Sequence, residues 1–134
     1  MSYKPAGHTS VAPYLIVSDA EALLGFIRTV FGAAPIFLHR RDDGAITHAE
    51  VRIDDTIVMC GQAEGAAAAH VHVYLPDVDA AFARALDAGG REVQPVAVQE
   101  DGDRRGGVID PTGTTWWLST AITPHAERNE KRET

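Results

Sequence analysis

The chain reads as an α+β protein: two tandem βαβββ modules forming a cupped, eight-stranded mixed sheet with the helices on its convex face. Three observations predict this. Two amphipathic helices stand about sixty residues apart, a strand rich in β-branched residues precedes each, and short strands divided by Asp- and Gly-containing turns follow each.

The first strand is expected over Val11 to Val17, bounded by Ser10 and Ser18, with Pro13 early, where a strand tolerates proline best. A helix should follow from Asp19 to Phe31. Ser18 is read as its N-cap and Glu21 as the return partner of a capping box, and Leu23, Phe26, Ile27, Val30 and Phe31 form one apolar stripe. Gly32 closes it. Strands are then expected at Ile36 to Arg40, Ile46 to Ile53 and Thr56 to Gly61, separated by Asp42-Asp43-Gly44 and Asp54-Asp55.

The second module repeats the first. Val71 to Leu75 reads as a strand and Asp77 as a cap. Val78, Ala81, Phe82, Ala85 and Leu86 read as a buried stripe, and Gly89-Gly90 as the stop. Tyr14-Leu15 recurs as Tyr74-Leu75 sixty positions on, and Ile27 answers to Leu86. Strands are expected at Glu92 to Val98, Gly107 to Ile109 and Thr115 to Thr120, with turns at Asp101-Gly102 and Asp110-Pro111-Thr112-Gly113. The small residues from Gly65 to Ala69 read as a plain connector. One domain is therefore expected over 1–124, with modules at about 8–64 and 69–122 and a charged tail over 125–134.

Composition narrows the function. At 134 residues, 45% hydrophobic and 23% charged, the chain has globular usage and room for one core. Nineteen acids against twelve Lys and Arg give a charge of −7, which disfavours nucleic acid and anionic membrane as partners. The tail holds equal numbers of acids (Glu127, Glu130, Glu133) and bases (Arg128, Lys131, Arg132), so the excess belongs to the modules. No leader or spanning stretch of about 18 apolar residues is read, and a lone Cys60 makes no internal disulfide. A cytoplasmic location is expected.

The faces of the strands carry the candidate chemistry. In Ile46 to Ile53, period two sets Thr47, Ala49, Val51 and Ile53 toward the helices and Ile46, His48, Glu50 and Arg52 away from them. In the second module it groups His70, His72 and Tyr74 on one face, and the two polar faces are expected to line one concave cavity. Trp116 and Trp117 point to opposite faces, so one is core and the other walls a pocket. Histidines and a carboxylate are the donor types a transition metal uses, although no compact motif such as His-Glu-x-x-His is present. Glycine-rich phosphate loops, Cys-x-x-Cys and a Gly-x-Ser-x-Gly elbow are also missing, and Cys60 reads as a small buried hydrophobe.

The tandem modules, together with Asp-Pro-Thr-Gly-Thr-Thr-Trp-Trp at 110–117, resemble the vicinal oxygen chelate superfamily of glyoxalases, extradiol dioxygenases and bleomycin and fosfomycin resistance proteins. Pro-Tyr-Leu-Ile-Val at 13–17, Gly-Asp-Arg at 102–104 and Gly106-Gly107-Val108 are similar to a bacterial subgroup often labelled glyoxalase-like or demethylubiquinone methyltransferase-like. Metal-using members take a ligand from the first and last strand of each module, and the resemblance lays those positions on Ala12, approximately Met59, His70 and Trp117. Only His70 is a donor, so no cofactor is expected. The resemblance then implies a bleomycin resistance-like protein that binds a small organic ligand without metal, in a groove completed by a homodimer. Its expected contacts are Tyr14, His48, Glu50, His70, His72, Tyr74, Arg104, Trp116 and Trp117. A cationic or aromatic ligand suits an acidic, aromatic groove. The alternative is a divalent-metal-dependent lyase, isomerase or dioxygenase using His70 with His72, His48 or Glu50 as non-standard ligands, with His48 or Glu50 the candidate catalytic base.

Overall fold

A computed structural model describes residues 6–9, 12–65 and 68–122. The order is β1 (Tyr14–Val17), α1 (Ala20–Phe31), β2 (Pro35–Arg40), β3 (Ile46–Ile53), β4 (Thr56–Gln62), β5 (Ala69–Tyr74), α2 (Val78–Asp87), β6 (Arg91–Val98), β7 (Asp103–Ile109) and β8 (Thr114–Ala121). This is the expected pair of βαβββ modules. Val11, part of the connector and the tail at 125–134 lie outside the described residues.

Each module makes its own four-stranded mixed sheet. Sheet A runs β1-β4-β3-β2 and sheet B runs β5-β8-β7-β6, the first pair of each parallel and the rest antiparallel. The eight strands are thus divided four and four, with no ladder joining the sheets among the described residues. What joins the modules is one apolar core. It takes Leu23, Phe26, Ile27 and Val30 from α1, Ala81 and Ala85 from α2, Leu15, Ala49 and Cys60 from sheet A, and Val108, Trp116 and Leu118 from sheet B. Trp116 of β8 packs on Phe26 and Phe31 of α1, and the Arg84 guanidinium of α2 donates to the Val30 carbonyl at 2.9 Å. Both sheets therefore turn their apolar faces to a shared helix layer, and their polar faces look away from it.

Local details correct four expectations. Asp19, not Ser18, caps α1: its backbone is extended and its carboxylate accepts from the Ala22 N–H at 3.1 Å, so no capping box forms and Glu21 pairs with Arg40 instead. Leu86 is 38% exposed, because α2 buries only Val78, Ala81 and Ala85 fully. Ile46 is core, because a register shift between His39 and Arg40 upsets the alternation. Strand β7 starts at Asp103, four residues earlier than expected, since ladder pairing to β8 overrides the weak strand propensity of Asp-Arg-Arg-Gly. Gly32, with φ 67°, ends α1 in the left-handed region as anticipated, its N–H donating to the Arg28 carbonyl.

Candidate functional site

On sheet A the open face carries Tyr14, His48 and Glu50. Strand β3 sets His48 and Glu50 two residues apart on one side, and β1 places Tyr14 two strands away. The His48 Nε2 lies 2.8 Å from Glu50 Oε2, and the Tyr14 hydroxyl lies 3.2 Å from His48 Nδ1. His8 approaches from the N-terminal segment and places its Nε2 2.9 Å from Glu50 Oε1. Hydrogen bonds from His48 first, and then from His8, hold the Glu50 carboxyl below its ordinary range. Phe37 of β2 closes one side, its ring centroid 5.7 Å from that of His48. Sequence reasoning missed His8 because a partner 42 positions away leaves no local pattern.

On sheet B, His70, His72, Tyr74 and Trp117 share the open face. The Trp117 indole N–H donates to His70 Nδ1 at 3.1 Å, with the two ring planes only 11° apart. The ring of Trp117 lies over Gly107, where a Cβ would come within 2.6 Å of it, so this position needs glycine for close approach. Gly107→Ala is expected to push the Trp117 ring aside and break its bond to His70, seen as a changed indole fluorescence with little change in fold. His72 Nε2 sits 2.9 Å from the Ser119 hydroxyl, and the Tyr74 hydroxyl donates to Asp103 at 2.8 Å. Asp103 and Asp101 both receive Arg105.

Two expected contacts move elsewhere. Trp116 is fully buried, so it is the core tryptophan and Trp117 the open-face one. Arg104 points toward the helix layer, where its guanidinium grips the Asp79 carboxylate of α2 with two bonds of 2.8 and 2.9 Å. Its neighbour Arg105 takes the open face, because side chains alternate along β7. The two polar faces are each ordered by bonds of their own sheet. His48 and Glu50 bond within sheet A, and His70 and His72 within sheet B. A partly open cavity of about 350 Å³ lies between β5 and the β3–β4 turn, lined by Asp54, Asp55, Thr56 and Val58 of the first module and by His72 and Tyr74 of the expected set.

Two of the four positions that the resemblance implies for a metal, His70 and Trp117, bond to each other instead. A Trp N–H is a donor only, so His70 Nδ1 accepts and its Nε2 carries the proton of the neutral ring, leaving neither nitrogen a lone pair for a cation. Trp117 itself stands at one of the other implied positions. Among the described residues no three His, Cys, Asp or Glu side chains converge to hold a metal ion. Burial pushes the Cys60 thiol up to about 11, in keeping with a buried hydrophobe.

These groups give stability a pH dependence. Burial depresses the His72 pKa, so the folded state binds fewer protons than the unfolded one once pH falls below about 6.5. Glu50, also depressed, acts in the same direction below about 4.5. Stability should therefore fall in two stages on acidification, and His72→Gln should flatten the upper stage in denaturant titrations at successive pH values.

Comparison with known proteins agrees with this architecture. A sequence profile described as the Glyoxalase/Bleomycin resistance protein/Dioxygenase superfamily matches residues 6–118. A Mycobacterium bovis protein is 34% identical over 127 residues, with 84% of each chain covered. Among solved structures, TioX from Micromonospora sp. ML1 matches with a TM-score of 0.73 at 26% identity, covering 85% of this chain and 99% of that one. The fosfomycin resistance protein FosX from Listeria monocytogenes shares the fold with a TM-score of 0.73 at 16% identity, covering 90% and 97%.

Proposed function

Because the chain belongs to the Glyoxalase/Bleomycin resistance protein/Dioxygenase superfamily, we propose that it binds a small organic ligand, without metal, between the open face of sheet A in one copy and that of sheet B in a second. The observation that carries this reading is the placement of both apolar sheet faces on one shared core. Each open face is then half a cleft, with ordered polar groups and half-exposed aromatic rings at Tyr14, Phe37 and Tyr74. The position of β1 and β5 at the ends of their sheets suits a two-fold assembly in which unlike modules meet.

The ligand is aromatic or cationic. Glu50 supplies an anionic wall, and Tyr14, Phe37 and Trp117 supply flat apolar surface. The setting is the cytoplasm, and no helix among the described residues is long and apolar enough to cross a membrane. Thermal-shift screening of aromatic and cationic compounds in the presence of a chelator tests the reading. Stabilisation that Trp117→Ala and Glu50→Gln each remove is expected. Stabilisation by divalent metals alone would overturn it.

A further inference from the structure

We propose that Tyr14, His48 and Glu50 form a proton relay, in which the Tyr14 oxygen exchanges protons with a weakly acidic organic ligand while His48 accepts the phenol proton. An ionised carboxylate only accepts hydrogen bonds, so the nitrogens facing Glu50, His48 Nε2 at 2.8 Å and His8 Nε2 at 2.9 Å, both carry hydrogen. The neutral His48 ring then has its lone pair on Nδ1, and the Tyr14 hydroxyl, 3.2 Å away, donates to it. Hydroxyl, imidazole and carboxylate thus stand in series, with the base fixed in the competent tautomer by the acid behind it.

In the transfer, the ligand's C–H or O–H bond breaks and its proton bonds to the Tyr14 oxygen. The phenol proton moves to His48 Nδ1 in the same step. The ligand keeps the electron pair as an anion, and the new imidazolium faces the Glu50 carboxylate. Charge is conserved, and reversal returns the proton. Tyr14 is 49% exposed, so a ligand can reach its oxygen.

The second module supplies an internal control. Tyr14 pairs with Met59, which pairs with Glu50, and Tyr74 likewise pairs with Ser119, which pairs with Arg105. At the position of His48 this row has Asp103, to which the Tyr74 hydroxyl donates. A carboxylate is a far weaker proton acceptor than an imidazole. Tyr74 is 50% exposed, so accessibility does not separate the two phenols.

The relay lies within sheet A and stands or falls apart from the two-copy cavity. Its test is labelling of the whole chain with phenylmethanesulfonyl fluoride at pH 7.5 with chelator, followed by peptide mass mapping. The phenol oxygen bonds to sulfur, fluoride leaves, and the phenol proton goes to the base. Tyr14 is expected to react at least about tenfold faster than Tyr74. His48→Gln should bring it to the Tyr74 rate, and Glu50→Gln to an intermediate one, with Tyr74 labelling unchanged in both as a check on folding. Equal rates in the wild type, or a Tyr14 rate unmoved by His48→Gln, would overturn the relay. So would nitrogen-15 spectra of the wild type showing the neutral His48 proton on Nδ1.

Discussion

Trp116→Ala is expected to destabilise the protein by about 3–5 kcal/mol, the range for deleting a large buried aromatic side chain. Three effects act together. The ring is fully buried, and its removal opens a void that the β8 backbone, held by β5 and β7 on either side, is poorly placed to fill. Contacts with Phe26 and Phe31 are lost, and these join sheet B to the helix of the other module. The Asp110 oxygen that accepts the indole N–H at 2.7 Å loses its buried partner. Urea titration followed by far-ultraviolet circular dichroism measures the loss. Trp116→Phe, which keeps most of the volume and removes the donor, should cost about 1–3 kcal/mol.

Asp110→Ala is expected to cost about 3 kcal/mol, because one buried carboxylate serves four donors. Its Oδ1 accepts from the Thr112 N–H at 2.7 Å, the Thr112 hydroxyl at 2.6 Å and the Thr114 N–H at 3.2 Å, and its Oδ2 accepts from Trp116. The Asp-Pro-Thr-Gly turn is in this way tied to the core tryptophan, which gives the 110–117 motif a structural reason. Asp110→Asn is nearly the same size but has one acceptor oxygen, so its amide N–H₂ must face a donor. It should also destabilise, by about 1–3 kcal/mol. A double-mutant cycle of Asp110→Asn with Trp116→Phe should show coupling, since the two residues share a bond.

Much of this architecture was legible in the sequence because its signals are local. The cap at Asp77, the stop at Gly32 and the sixty-residue offset between Tyr14 and Tyr74 each need only a short window. Period two also grouped His48 with Glu50 and His70 with His72. What it could not supply was register and packing over distance. The irregularity beside His39 brings Ile46 into the core, and no residue type near Ile46 signals it. Arg104 and Arg105 are chemically alike, so only the ladder to β8 decides which meets Asp79 and which the open face. How the modules pack likewise depends on Trp116 of one module reaching α1 of the other, a contact that no short window signals.

The proposed ligand cavity needs two copies of the chain. A crystal structure of the purified protein, soaked with a compound that stabilises it in the thermal-shift screen, tests this most directly. The expected result is two copies related by a two-fold axis, with the compound between Glu50 of one and Trp117 of the other. A compound held entirely by one copy, or density for a metal ion coordinated by His70, would contradict it.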